Sequence, residues 1–203
     1  LAGDSRRVLL HPLPLFNNSV GAHDMGMMNG AMNVMQLLNA CGETVRAMYV
    51  AGSFLEDQLG QNPDALAKLD FLVVQELFET ATTAFADVVL PAASFAEVDG
   101  TFTNNDGFVQ RVRQSIPPVH SSKADWIITA QLAKELGVDF GFQMSASSVF
   151  SEIAATVPAY SELRYPLLKD ESHPVQVKHA MAPQRDVSSE IQELTRLVSE
   201  LRV

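Results

Sequence analysis

Cysteine is nearly absent: the chain of 203 residues has one, Cys41. A single thiol cannot close an intramolecular disulfide. It cannot hold an iron–sulfur cluster, which usually takes four thiolates, nor build a cysteine-based zinc site. Cys41 stands between Ala40 and Gly42 at the end of a helical pattern and reads as a small buried hydrophobe. Long apolar runs are also missing. No stretch approaches the ~18 residues of a membrane span. Pro12 and Pro14 interrupt the N-terminal apolar stretch, which makes it a poor signal-peptide core. Basic charge is sparse, with 14 Lys and Arg against 24 Asp and Glu and a formal net charge of −10. Binding nucleic acid through its phosphates needs a concentrated basic face. The densest patches, Arg6 with Arg7 and Arg111 with Arg113, are small. The five histidines, His11, His23, His120, His173 and His179, include no pair three or four residues apart. Metal-site spacing is therefore lacking, and His23 with Asp24 is the best local ligand pair. GxSxG, GxxxxGK and GxGxxG motifs are absent.

What remains is a globular composition with 47% apolar residues, enough for a packed core. The chain starts at Leu1 rather than Met, which reads as a piece of a longer protein. Residues 8–13 predict a short buried strand, and residues 17–30, rich in Gly and Asn, a loop. A helix is predicted over 31–40, ended by Gly42. Val45–Val50 reads as a strand leading into Ala51, Gly52 and Ser53. Pro63–Leu69 reads as a short helix capped by Asn62. Phe71–Val74 and Val88–Leu90 are continuous apolar runs, the pattern of parallel strands covered on both faces. Strands alternating with helices predict an α/β unit.

After Pro91 the pattern changes. Thr101–Val112 surrounds Asp106-Gly107 with β-prone arms, a hairpin signal. A helix is predicted from Ala124 to Leu136, with Ser122 as its cap, Gly137 just past its end, and Ile127, Ile128, Leu132 and Leu136 on one face. Another helix is predicted over Ser148–Val157. The intended organisation is thus a domain over 1–157, an extended linker over 158–187 and an amphipathic C-terminal helix over 188–203.

Several clusters bear on chemistry. Residues 50–53 lie at a predicted strand end, where α/β sheets collect ligands. They read either as an anion cradle or as a plain turn. Thr80, Thr82 and Thr83 either bond a nucleotide or cap their own turn. Glu97 and Asp99 fall on one face of a predicted extended segment and read as a solvated edge or a structural hydrogen bond. Met25, Met27, Met28, Met32 and Met35 serve either core packing or an intersubunit surface.

Residues 71–137 carry a resemblance. Ala86 to Pro91 (ADVVLP), Glu97 to Asn104 (EVDGTFTN), Val109 to Val112 (VQRV) and Asp125-Trp126 fit together in order and spacing over about a third of the chain. Together they resemble the molybdopterin-oxidoreductase superfamily. The resemblance implies an α/β fold: a Rossmann-like parallel sheet with flanking helices, a β-hairpin insertion and a C-terminal helical extension. The variant it resembles most is the large iron–sulfur subunit of respiratory complex I, because Gly52-Ser53-Phe54-Leu55 replaces the Gly-x-Asn-Pro-like turn of pterin-binding members. That variant implies a scaffold role in an NADH-quinone oxidoreductase. It also implies no catalytic residue, metal or cofactor in this segment, with iron–sulfur clusters expected in a part N-terminal to it. Partners are the other subunits of the complex, with a cytoplasmic location peripheral to the inner membrane and no membrane insertion or nucleic acid. The alternative is a fragment of a molybdopterin-dependent oxidoreductase such as a formate dehydrogenase, with Gly52, Thr80, Asp87, Glu97 and Gln110 bordering the pterin guanine dinucleotide.

Overall fold

The computed structural model describes residues 14–27, 32–142, 145–169 and 174–177. The strand expected over 8–13 and the helix expected over 188–202 lie outside them, as do His11, His173 and His179. Among the described residues, no helix is long and apolar enough to cross a membrane.

The first part of the chain forms a parallel sheet. Helix α1 spans Ser19–Asp24, inside the segment expected as a loop. Tertiary contact explains the difference: the Asn18 side chain at its start accepts the Thr103 N–H at 2.8 Å and docks the turn. Helix α2 spans Val34–Ala40 and opens with a capping box. Asn33 Oδ1 accepts the Gln36 N–H, and Gln36 Oε1 accepts the Asn33 N–H, both at 2.9 Å. Gly42 follows the helix at φ +81°, and a Cβ there would lie 2.7 Å from Lys68 Cβ.

Strand β1 (Ala47–Ala51) pairs in parallel with β2 (Phe71–Glu76), and β2 with β3 (Val88–Pro91). The order β1-β2-β3 makes β2 central. Helix α3 occupies Glu56–Gln61, ahead of the position expected for it. Glu56 and Asp57 suit the first turn of a helix. Asn62 is therefore the residue after a helix rather than before one, and its side chain donates to Leu38 O at 3.4 Å and Asn39 Oδ1 at 3.2 Å. Only a 3-10 turn, Leu66–Lys68, follows Pro63. Leu38, Cys41, Leu59, Ala65, Leu66, Leu72 and Val74 form the core of this half. Burying each large aliphatic side chain contributes about 1.5–3 kcal/mol. The expected cover on both faces applies to β2 alone: Val88 and Val89 on edge strand β3 are 39% and 47% exposed.

The second sheet is antiparallel. β4 (Gly100–Thr103) and β5 (Phe108–Val112) form the expected hairpin. Asn104 Oδ1 accepts the N–H groups of Asp106 and Phe108, and Gly107 takes φ +81°, which a β-branched residue resists. Helix α4 spans Asp125–Glu135. Ser122 does not cap it, because its hydroxyl donates to Val119 O at 2.7 Å. Ile128 is buried, whereas Leu136, expected on the same face, is exposed. Helix α5 spans Ala146–Thr156, just before Pro158. The described part of the segment expected as an extended linker is packed instead. Tyr160, Tyr165, Leu168 and Val177 join Val109 and Phe150 in a second core, and β6 (Val175–Gln176) pairs with β5. Aromatic side chains from this proline-rich stretch bury enough surface to hold it without helical periodicity.

Candidate functional site at the carboxyl ends of the parallel strands

In an open parallel sheet the carboxyl ends of the strands are where loops meet and ligands collect. Here β1 runs out at Ala51 into Gly52 and Ser53, and β2 at Glu76. Three side chains converge there. Ser53 Oγ donates to Glu76 Oε2 and lies 2.8 Å from Thr80 Oγ1. Glu76 Oε1 accepts the Leu77 N–H at 2.6 Å. The Thr80 and Thr83 hydroxyls cap each other's backbone N–H groups, at 2.7 Å and 3.2 Å, so these threonines do close their own turn. Thr82, fully buried, accepts the Phe54 N–H at 3.0 Å.

The backbone around Gly52 is not an anion cradle. The Gly52 N–H donates to Gln75 O at 2.8 Å, and the Phe54 N–H is taken by Thr82. Space is nevertheless open at Gly52, where a Cβ would meet nothing within 4 Å. Phe54 packs against the first core rather than blocking the strand ends. The cluster is rich in acceptors, since the Glu76 carboxylate and the serine and threonine oxygens retain lone pairs after their internal bonds. It suits a ligand that presents N–H and O–H donors.

Behind it, a polar chain fixes the sheet end. Tyr49 donates its hydroxyl to Gln75 Oε1, and Gln75 Nε2 donates to Asp125 Oδ1 in the first turn of α4. Gln75 is fully buried.

Of the five residues anticipated around a cofactor, the structure gathers Gly52 and Thr80 only. Asp87 lies at the opposite, amino end of the sheet, where its carboxylate accepts the Leu72 N–H at 2.7 Å. Glu97 is buried in a 3-10 turn, not on an extended segment, and acts as a structural clasp. Its oxygens accept the N–H groups of Ser94 at 2.7 Å and Val119 at 3.0 Å. The Ser94 backbone N–H holds the Glu97 pKa below its ordinary value, and burial opposes it. Gln110 is on β5, opposite Phe102 in the other sheet. Sequence reasoning missed Glu76 and read Ser53 as a backbone donor rather than as the hydroxyl that meets Glu76 and Thr80. The available signal was the polar pair Gln75-Glu76, which continues β2 past its apolar run.

Elsewhere, the His23 ring nitrogen sits 3.9 Å from Asp24, and its side chain is mostly exposed. No group of three or more His, Cys, Asp or Glu that could hold a metal ion occurs among the described residues. Of the described methionines in the cluster, Met35 packs on the first core, whereas Met25, Met27 and Met32 are exposed. Cys41 is buried, and burial raises its thiol pKa against the opposing charge of Lys68.

Comparison with known proteins sets this geometry in context. Residues 12–135 match the molybdopterin oxidoreductase family, more than half of the chain. The F420-dependent formate dehydrogenase subunit alpha of Methanocaldococcus jannaschii is 38% identical over 148 residues, covering 70% of this chain and 22% of the relative. The F420-dependent formate dehydrogenase 2 subunit alpha of Methanococcus maripaludis is 39% identical over 138 residues, covering 64% of this chain and 20% of the relative. The chain therefore spans about a fifth of the length of these relatives. Among solved structures, acetylene hydratase from Pelobacter acetylenicus superposes with a TM-score of 0.54 at 17% identity, over 72% of this chain and 21% of that one, which speaks to the fold alone. The relatives named here are formate dehydrogenase subunits, so the finer expectation of a complex I subunit finds no support in them. The extent of the family match decides the broader question: the chain belongs to the molybdopterin oxidoreductase family.

Proposed function

We propose that the intact protein is a molybdopterin-dependent oxidoreductase of the formate dehydrogenase kind, and that this segment walls the nucleoside end of its pterin guanine dinucleotide. The observation that carries this is the acceptor cluster of Ser53, Glu76 and Thr80 beside the open space at Gly52. Guanine presents N–H donors, and ribose presents hydroxyls. A carboxylate with hydroxyl neighbours matches both. The same cluster does not suit the diphosphate, because the Gly52 and Phe54 N–H groups are committed internally and Glu76 adds negative charge. The phosphates would be held by residues outside this cluster.

Within that reading, Gly52, Ser53, Glu76 and Thr80 would hold and orient the nucleoside. When bound, the molybdenum–pterin group supplies two-electron oxidation of substrate. Asp125, tied through Gln75 to the central strand, fixes the start of α4 against the same sheet end. The names of the relatives favour formate as substrate and further subunits as partners. The complex I reading rested in part on the turn at Gly52-Ser53-Phe54-Leu55. It loses weight because the relatives are formate dehydrogenase subunits and because Phe54 packs against the first core rather than over the strand ends.

The test uses the intact protein. Purification is expected to yield bound molybdenum or tungsten, guanine nucleotide released on denaturation, and formate-driven dye reduction. Glu76→Gln is expected to lower nucleotide content roughly tenfold, the worth of about one charge-assisted hydrogen bond. Intact protein free of metal and pterin and inert toward formate would overturn the proposal and return the scaffold reading.

A further inference from the structure

Arg111 is the anomaly. A guanidinium carries five N–H donors, and this one is only partly satisfied. Its Nε is buried without a partner. Its nearest carboxylate, Asp99, is 3.7 Å away, too far for a hydrogen bond. It lies over the ring of Tyr165, with its central carbon 4.4 Å from the ring centroid. Tyr165 is itself 6% exposed, and its hydroxyl likewise has no partner. Burial raises the Tyr165 pKa, and the Arg111 charge opposes the rise. Buried polar groups are nearly always satisfied, so two orphans in contact call for a missing partner.

Both residues line a cleft of ≈ 680 Å³ between the hairpin, α4 and the start of α5. Ser145 and Ser147, also in its lining, stand at the first turn of α5. That helix has no side-chain cap and no acidic residue in its first turn. The N–H groups of Ala146 and Ser147 have no intrahelical acceptor, and the helix end is electropositive. Lys123, also in the lining, has one of its three ammonium donors engaged by Gln131 at 2.8 Å and adds positive charge to the wall. The rest of the wall is largely apolar, with Trp126 and Ile127. Glu97 and Asp99 add negative charge on the rim, which disfavours a dianion over a monoanion.

We propose that this cleft binds a small organic carboxylate. The carboxylate bridges the Arg111 guanidinium and the amino end of α5, and an apolar body lies against Trp126. The site is separate from the strand-end cluster and stands whether or not the pterin reading does.

Calorimetric titration of the intact protein with benzoate, butyrate and inorganic phosphate tests it. Benzoate or butyrate is expected to bind saturably, with phosphate about tenfold weaker or worse. Arg111→Gln is expected to weaken the carboxylate about tenfold. Ser147→Asp is expected to do the same without lowering the melting temperature, since an acidic residue at the first turn favours the helix while occupying the anion position. This second variant keeps the test decisive if Arg111→Gln does not fold. Absence of saturable binding, equal binding by the folded variants, or phosphate binding as tightly as carboxylate would each overturn the proposal.

Discussion

The two halves of this molecule are held by different means. The parallel half packs aliphatic side chains from segments close in sequence: Leu38 and Cys41 on and after α2, Leu59 on α3, Leu66, and Leu72 and Val74 on β2. The antiparallel half packs Val109 and Phe150 against Tyr160, Tyr165, Leu168 and Val177, which arrive from a stretch without regular periodicity. In the first half Gln75 and Thr82 are spent inside, whereas Ser53, Glu76 and Thr80 gather at the strand ends with lone pairs left over after their mutual bonds. In the second, the Tyr160 hydroxyl is spent inside, 2.7 Å from Thr103 Oγ1 and donating to Asp24 at 2.9 Å. An aliphatic core leaves part of its chemistry at the rim, whereas a tyrosine-rich core carries hydroxyls inward, where Tyr160 finds partners and Tyr165 does not.

Leu72→Ala is expected to have the largest effect on the comparison. Leu72 is 1% exposed on the central strand, and such truncations cost about 2–5 kcal/mol. Hydrogen exchange in the intact protein should accelerate over β1, β2 and β3 more than over β4 and β5. Equal acceleration in both sheets would show a single cooperative unit and break the division drawn above.

Gly107→Val should act on the other half. At φ +81° a β-branched side chain is strained, with an expected loss of about 1–3 kcal/mol in a thermal melt. A variant melting like the parent would show that the hairpin turn adapts and that the second core does not depend on its register.

The smallest effect concerns Tyr160, and its sign depends on pH. Burial, aided by the Asp24 carboxylate and opposed by Thr103, pushes the Tyr160 pKa from its ordinary 10 up to about 12. The folded state thus holds the proton more tightly than the unfolded state. The stabilisation is complete below pH 10 and is lost as pH rises from 10 toward 12. Tyr160→Phe should cost about 1 kcal/mol at neutral pH and flatten the alkaline loss in urea unfolding. An alkaline limb identical in variant and parent would assign that limb to other groups.

Much of this architecture was readable from local pattern. The runs at Phe71–Val74 and Val88–Leu90 became β2 and β3, and the Asp106-Gly107 turn became the hairpin. The strand-end site was legible in part. Gly52 stood out as the residue after a strand, and Thr80 as part of a hydroxyl cluster. Asp87, Glu97 and Gln110 entered through their place in a motif, and motif membership does not say which end of a sheet a residue occupies. Asp87 comes just before β3 rather than at its end, so it serves the backbone of Leu72.

Side-chain periodicity, turn chemistry and the single cysteine depend on residues within a few positions of one another, so the sequence alone determined the α/β character, the hairpin and the absence of a four-thiolate cluster in this segment. Three features depend on contacts across long separations, and only the tertiary structure decided them: the burial of Tyr160 and Tyr165 in a stretch that reads as linker, the meeting of Ser53 with Glu76 and Thr80, and the partly satisfied Arg111 above Tyr165. No local pattern encodes which distant side chain will arrive opposite another. That is set when each sheet and its helices close over their own core.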